Sequence, residues 1–117
     1  MLNKIHEKTI TFSGTTSGVL RMNNPHTLLA IRVPAGFTDC SLTFQVSNAD
    51  DQTADASIAD WAQLYLDNGS PYTVTVDADA TNPRLILLAA NAFGNFVRFV
   101  SSAPQTLSVI AYYRGIQ

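Results

Sequence analysis

The sequence predicts an all-β protein, an antiparallel two-sheet β-sandwich or jelly roll of about eight strands. The first observation behind this prediction is a period of two in the apolar residues, which is typical of strands with one buried face. The second is the turn chemistry between the alternating runs, where Gly allows a positive φ and Pro fixes φ. Runs and turns follow one another at intervals of about a dozen residues, as they do in sandwiches and jelly rolls.

Two kinds of apolar run predict the individual strands. The alternating runs, rich in Val, Ile, Thr, Phe and Tyr, cover residues 9–13, 28–33, 41–47 and 72–76. Three later runs are more continuously apolar, which is typical of central strands or of strands whose outer face is covered. These later runs cover residues 84–88, 96–101 and 106–113.

One segment departs from the period of two. Between residues 55 and 65, the apolar residues Ile58, Trp61, Ala62 and Tyr65 follow a helical spacing. Residues 61–66 can equally form a strand that leads into the next turn. We therefore predict a loop with one helical turn over residues 48–60, followed by a strand.

The length of the chain predicts one domain. Its 117 residues are enough to bury a core, and no internal repeat or linker divides them. We expect a single β-sandwich domain over residues 1–117. Residues 1–8 precede the first alternating run and are interpreted as an extended N-terminal arm that reaches a neighbour; a frayed terminus is the alternative.

Composition narrows the classes of function. Hydrophobic residues make up 46% of the chain and charged residues only 14%, against the usual quarter, so disorder is not expected. The net charge of −2 lacks the basic excess that a nucleic-acid binder needs. No apolar run approaches the ~20 residues of a membrane span, and the N-terminal segment has no secretory signal. We expect a protein made in the cytoplasm, with neither nucleic acid nor membrane as a partner.

The acidic residues raise the question of a calcium site. Eight of the nine lie between Asp39 and Asp79, and no Lys or Arg occurs from Val33 to Pro83. The segment Asp67-Asn68-Gly69 does not have the ligand spacing of an EF-hand loop. Asn-Gly between two alternating runs instead predicts a hairpin turn. A cation held by the other acids is the alternative, with a solvated acidic loop favoured over it. The candidates are Asp50, Asp51, Asp55, Asp60, Asp77 and Asp79.

Residues for catalysis are few. His6 lies in the N-terminal segment, His26 precedes a strand, and no spacing typical of a zinc site or a nucleophile elbow occurs. The single cysteine, Cys40, shares its parity with Leu42 and Phe44 and is expected to point inward as a small hydrophobe. We therefore predict no enzyme, no catalytic residue, no cofactor and no metal.

Two sets of residues are candidates for binding. Trp61, Tyr65 and Tyr72 flank the predicted hairpin and could stack on a sugar ring, although packing in the core is the favoured interpretation. Arg32 and Arg98 each interrupt an apolar strand. A charge there must face solvent or be paired, so both are candidate partner contacts.

Several segments together resemble small jelly-roll structural proteins of tailed phages and prophages, some of which decorate or cement the capsid. The segments are Arg32-Val33-Pro34-Ala35-Gly36-Phe37, Ser41-Leu42-Thr43-Phe44-Gln45-Val46-Ser47, Trp61 to Tyr65 with the Gly69 turn, and Phe96-Val97-Arg98-Phe99-Val100-Ser101. They are also similar in outline to carbohydrate-binding sandwiches. Where the related pattern has a tight turn after Ser47, this chain carries the longer segment 48–60.

The resemblance implies a function that composition alone does not. It implies a virion structural protein on the capsid surface, a homo-oligomer made in the host cytoplasm, whose partner is the major capsid protein. The alternative is a carbohydrate-binding module of a phage fibre or baseplate. Oligomeric state, the contacting surface and the choice between capsid and fibre stay open at this point.

Overall fold

The computed structural model describes residues 3–22, 27–50, 52–93 and 95–116, and these contain ten strands and one short 3₁₀ turn. The strands are β1 (Asn3–Ile10), β2 (Phe12–Ser17), β3 (Leu20–Arg21), β4 (Thr27–Val33), β5 (Cys40–Ser47), β6 (Ala62–Gln63), β7 (Thr73–Val76), β8 (Arg84–Phe93), β9 (Phe96–Gln105) and β10 (Val109–Ile116). The 3₁₀ turn spans Asp55–Ser57. Within the described residues, no helix has the length and apolar character needed to cross a membrane.

The strands form two antiparallel sheets. Sheet A has the order β1-β10-β4-β8, and sheet B has the order β2-β9-β5-β6, with β3 also on β9 and β7 also on β5. β2 and β3 follow one another along β9, and β6 and β7 follow one another along β5. Each of these pairs is therefore one interrupted strand, which leaves eight strand positions, four in each sheet.

The connectivity is that of a jelly roll. Along the chain the eight positions alternate between the sheets, except where β5 passes to the neighbouring β6 within sheet B. This winding gives the two packed sheets of a jelly roll. The prediction of an all-β, two-sheet antiparallel fold is confirmed.

The core lies between the sheets and follows from the period of two. Sheet A supplies Ile31 and Val109, and sheet B supplies Leu42, Phe44 and Phe99, all of them almost completely buried. The ring of Phe44 meets the edge of Phe99 with a centroid distance of 5.3 Å, an arrangement that adds to the stabilisation from buried area. Inward residues alternate with outward residues along each strand, so the sequence pattern maps directly onto this core.

A buried polar contact fastens the two layers at one end. Gln105, which is 3% exposed, donates to the Thr38 carbonyl at 2.9 Å and accepts from the Thr38 N–H at 3.1 Å. The segment between β4 and β5 is thereby held against β9. Among the described residues, no buried side-chain nitrogen or oxygen lacks a hydrogen-bond partner, as expected for a native interior.

The N-terminal segment corrects two predictions. Residues 3–8 are not an arm, because they pair with β10 from Asn3↔Ile116 to Lys8↔Ala111; residues 1–2 of the predicted arm lie outside the described residues. The alternating run 9–13 is not one strand, because the chain leaves sheet A after Ile10 and begins β2 at Phe12. The Gly18 N–H donates to the Thr11 carbonyl at 2.7 Å and closes this corner.

The segment 48–60 folds over the outer face of sheet B. It contains the predicted single helical turn, but the following strand is only Ala62–Gln63 instead of residues 61–66. Arg21 fastens the segment by an ion pair with Asp55 at 2.6 Å, and its guanidinium lies 4.8 Å from the ring centre of Phe96. Phe96 is 0% exposed although it lies outside the main core cluster. Sheet B is therefore partly covered by its own chain.

The Asn-Gly segment forms the predicted tight turn, but the turn does not lie between two neighbouring strands as predicted. The Gly69 N–H donates to the Leu66 carbonyl at 3.0 Å, and Gly69 has a φ of +86°. A bridge between Tyr65 and Pro71 closes the loop. Because β6 and β7 both run along β5, residues 65–71 are a loop that protrudes from one interrupted edge strand. They do not join two neighbouring strands.

Candidate functional site: the outer face of sheet A

The outer face of sheet A carries two rows of side chains. Residues directly opposite each other in antiparallel strands point to the same face, so the register assigns the rows. One row is Thr9, Ile110, Arg32 and Leu85, across β1, β10, β4 and β8. The next row is Glu7, Tyr112, Ala30 and Leu87. We call these eight residues, together with Ile5 and Leu29, the A face.

The A face exposes large apolar side chains. Leu87 is 77% exposed, Leu85 is 59% exposed and Ile5 is 55% exposed. The inward residue Leu88 of the same strand is 9% exposed, so β8 is apolar on both sides. Burying one leucine side chain contributes roughly 1.5–3 kcal/mol. Leu85 and Leu87 line one concavity with Leu29, Ala30 and Tyr112, and an exposed apolar patch of this kind marks a surface for interaction.

β8 adds an open sheet edge to this face. It is the last strand of sheet A, and among the described strands it pairs only with β4. Such an edge offers backbone N–H and C=O groups to a partner, and natural proteins block it with charges or with a covering loop. At the other edge β1 carries Lys8, whereas Leu85 and Leu87 stand beside the open edge of β8. The continuous apolar run 84–88 was expected to be central or covered; it is an edge strand.

Arg32 lies between two concavities of the A face. One has a volume of about 390 Å³ and is lined by Thr9, Arg32, Pro34, Ala35, Pro83, Ser108 and Ile110. The other, of about 420 Å³, is lined by Leu29, Ala30, Arg32, Leu85, Leu87 and Tyr112. Arg32 is exposed and forms no ion pair or hydrogen bond with the described residues. It faces solvent, as its interruption of an apolar strand indicates.

Arg98 is held within the molecule instead. Its guanidinium lies 4.2 Å from the ring centre of Trp61 on the outer face of sheet B, and its Nε donates to the Gln45 side-chain oxygen at 2.6 Å. Burial lowers the pKa of Arg98 from its ordinary value, but an arginine stays charged at neutral pH. Of the two predicted contact arginines, the structure leaves Arg32 open and binds Arg98 to its own sheet.

The predicted sugar platform is not assembled. Tyr72 is 6% exposed and packs on Phe44 with ring centres 5.4 Å apart, because it has the inward parity of β7. Arg98 occupies a face of the Trp61 ring. Tyr65 is 56% exposed and lies on the protruding loop. A sugar would therefore meet one exposed ring instead of three, and for Tyr72 the favoured interpretation, packing in the core, is confirmed.

The acidic residues are spread over several turns. Asp50 accepts from the Gln52 N–H at 2.9 Å, Asp55 pairs with Arg21, and Asp39 accepts from the Ala78 N–H at 2.9 Å. In the described part of the chain, which omits Asp51, no three His, Cys, Asp or Glu side chains converge as metal ligands. Asp50 therefore stabilises a local turn, whereas Asp39 and Asp55 connect segments that are distant in the sequence.

Asp79 shows how a turn retains its carboxylate. The Thr81 N–H and hydroxyl donate to it at 2.9 and 3.0 Å, and these bonds, the N–H first, lower the pKa of Asp79 from its ordinary value. Hydrogen bonds to the charged form favour that form. Arg84 lies farther away, at 3.8 Å. The contribution of this turn to stability is present above the ordinary pKa of Asp and is lost as the pH falls through the lowered value.

The remaining candidates lie elsewhere. The ring of His6 stacks on Tyr113 with centroids 5.2 Å apart, and His26 lies outside the described residues. Cys40 is a free thiol, half-buried and packed against the core cluster, in agreement with the inward parity expected for it. Comparison with protein-family models, with curated proteins and with solved structures finds no match.

Sequence reasoning named Arg32 but missed the leucines around it. Leu85 and Leu87 have the outward parity of β8, and their run contains apolar residues at both parities. That pattern predicts a strand buried on both faces. The pattern is the same whether the outer face is covered by the same chain or by a partner. The absence of Asp, Glu and Lys from residues 84–93 is the signal that could have marked this strand.

Proposed function

We propose that this chain is a virion structural protein, a decoration or cement protein that stabilises an assembled phage capsid through protein–protein contacts. The observation that carries the proposal is the A face, an apolar sheet surface left open in a fold that covers its other sheet with residues 48–60. The choice of a phage shell as partner comes from the sequence resemblance. The jelly roll occurs in viral capsid domains and also in lectins, so the fold supports the proposal without deciding it.

The composition of the A face is suited to a permanent contact. Stable interfaces have an apolar centre with aromatic and arginine residues and a polar rim. Leu85, Leu87 and Tyr112 supply the apolar centre, and Thr9 and Glu7 lie at the rim on β1. A contact of this kind, repeated over a symmetric shell, gains strength from the number of copies.

Co-sedimentation tests the proposal. Purified protein is mixed with bare, assembled particles of the phage or prophage that encodes it, and separately with the free capsid subunit. We expect binding to the assembled shell and weaker binding to the subunit, since a site formed where subunits meet exists only after assembly. Bound protein should raise the temperature at which particles open, because it stabilises only the closed shell.

A glycan-binding screen, run beside the sedimentation experiment, gives the rival result. A clear glycan signal without co-sedimentation would contradict the capsid proposal and favour a carbohydrate-binding module. The exposed ring of Tyr65 would then be the first residue to replace.

A further inference from the structure

The charges of this protein are divided between its two sheets. The strands of sheet A contain five basic residues and one acidic residue: Lys4, Lys8, Arg32, Arg84, Arg114 and Glu7. All other acidic residues fall between Asp39 and Asp79, in sheet B and its loops, where the only described basic residues are Arg21 and Arg98. Only some of these basic residues point to the A face: Arg32 belongs to it, and Arg114, opposite Ile5, has the same parity, whereas Lys8 and Arg84 have the opposite parity. With Glu7 the face carries two arginines and one carboxylate, so an acidic partner surface complements it.

The arginines differ in what they contact. Arg21 pairs with Asp55, Arg98 bonds to Gln45, and Arg84 lies 3.8 Å from Asp79. Arg32 has no such partner among the described residues, and it stands between Leu85 and Ile110 in its row. An arginine surrounded by apolar side chains, once covered, needs a carboxylate, because a buried unpaired charge is costly.

We propose that the A face is the surface that meets the shell, and that Arg32 binds a carboxylate on an acidic, partly apolar surface of the shell protein. This inference rests on the proposed function and adds the orientation of the molecule and the chemistry of its partner. The planar guanidinium donates two parallel hydrogen bonds to the carboxylate. Side chains of the shell fill the concavities on either side of Arg32, and the acidic loops of sheet B face outward.

A second copy of this chain is the alternative occupant of the A face. Two A faces packed together would supply one carboxylate, Glu7, for every two arginines, Arg32 and Arg114, and would leave an arginine of each copy without a carboxylate. The basic sheet of one molecule on the acidic sheet of another would be complementary in charge, but such a head-to-tail contact produces a ring or an open filament. A shell protein with surface carboxylates satisfies the same charges without polymerisation.

Three variants test the role of Arg32, with co-sedimentation on purified assembled particles as the readout. Arg32→Glu should weaken binding ~30-fold or more, because it opposes a carboxylate with a carboxylate. Arg32→Lys should retain part of the affinity, since it keeps the charge and loses the planar fork. Lys8→Glu is the matched control: it changes the net charge equally, at an exposed residue of β1 with the opposite parity to the A face. It should leave binding within about twofold of the parent.

Salt gives a second readout that a structural role would not move. Binding of the parent protein should weaken as salt rises from low to physiological concentration, and Arg32→Leu should show a smaller change. The urea midpoint of each variant checks the fold; it should be unchanged, since Arg32 is exposed.

The outcomes separate the inference from the function. Binding by the parent that Arg32→Glu leaves intact would overturn the inference while the capsid function stands. No binding by the parent would overturn both. Sedimentation without particles that rises with protein concentration and is lost in Arg32→Glu would show that a second copy occupies the A face, which also overturns the inference.

Discussion

At the scale of single residues, the structure distinguishes side chains that look equivalent in the sequence. Arg32 and Arg98 both interrupt apolar strands, yet one is open and the other is stacked on Trp61. Tyr65 and Tyr72 both flank the Asn-Gly turn, yet one is exposed and the other is in the core. Parity separates the two tyrosines, because Tyr72 is two residues before Val74 on the inward side of its strand. Both arginines have outward parity; they differ because Arg98 meets Gln45 and Trp61 on the outer face of sheet B.

Gly69 tests the turn at this scale. Gly69→Ala should lower the free energy of unfolding by about 1–2 kcal/mol, because a side chain at a φ of +86° is strained even with open space around its Cβ. Gly18→Ala is the control. Its Cβ would meet the Thr11 carbonyl at an ordinary 3.6 Å and no positive φ is involved, so the change should stay within about 0.5 kcal/mol. Equal losses in urea titrations would show that Gly69 is not needed for the turn.

Trp61 tests the contact with Arg98. Trp61→Ala should destabilise the fold by about 1–2 kcal/mol. It removes the ring that packs on the Arg98 guanidinium and exposes that face of the guanidinium to solvent. Tyr65→Ala removes an exposed ring from the same outer surface and should cost less than about 0.5 kcal/mol. The free energies come from urea unfolding. A loss for Tyr65→Ala as large as that for Trp61→Ala would contradict this assignment.

At the scale of elements, the period of two predicted the strands well and their ends poorly. β5 and β7 follow the alternating runs closely. The run 9–13 crosses a corner instead, because Ile10 and Phe12 reach the same core from different sheets. Parity shows whether a residue faces the core, but it does not show which sheet the residue belongs to. The pairing of residues 3–8 with β10 was missed because their polar residues lie on an edge strand, where alternation is weak.

β8 provides an element-scale prediction about edges. Leu87→Lys should change the free energy of unfolding by less than about 0.5 kcal/mol, since Leu87 is 77% exposed. It should also reduce aggregation at high protein concentration, because a charge blocks an open edge. Leu88→Lys, one residue along and buried, should unfold the protein. If circular dichroism showed Leu87→Lys unfolded and Leu88→Lys folded, the assigned faces of β8 would be reversed; equally folded or equally unfolded variants would contradict the assignment.

Cys40 tests the register of β5. The thiol should react slowly with a maleimide in the native state and rapidly in denaturant, because it packs against the core. In a Cys40→Ser background, Thr75→Cys should label rapidly, since residue 75 lies in the neighbouring β7 with outward parity and is exposed. Rapid native labelling of Cys40, with an unchanged circular dichroism spectrum, would mean that the register is shifted by one residue.

At the scale of the whole molecule, the jelly roll separates two outer surfaces with different properties. Sheet B is acidic and partly covered by residues 48–60, whereas sheet A is basic and leaves Leu85 and Leu87 open. The sequence shows the charge segregation as a long acidic segment between Arg32 and Arg84. Only the topology shows that every strand of this segment lies in sheet B, because β4 and β8, which flank it, are neighbours in the other sheet.

Solvent footprinting of the bound protein tests directly whether the A face is the surface that meets the shell. Hydroxyl radicals modify exposed side chains, so modification is compared between free protein and protein bound to assembled particles. We expect protection of Leu85, Leu87 and Tyr112 on the A face, and unchanged modification of Tyr65 and Leu66, which are 56% and 40% exposed and lie on the loop 65–71 between β6 and β7 of sheet B. Protection of Tyr65 and Leu66 with continued modification of Leu85 and Leu87 would contradict this expectation.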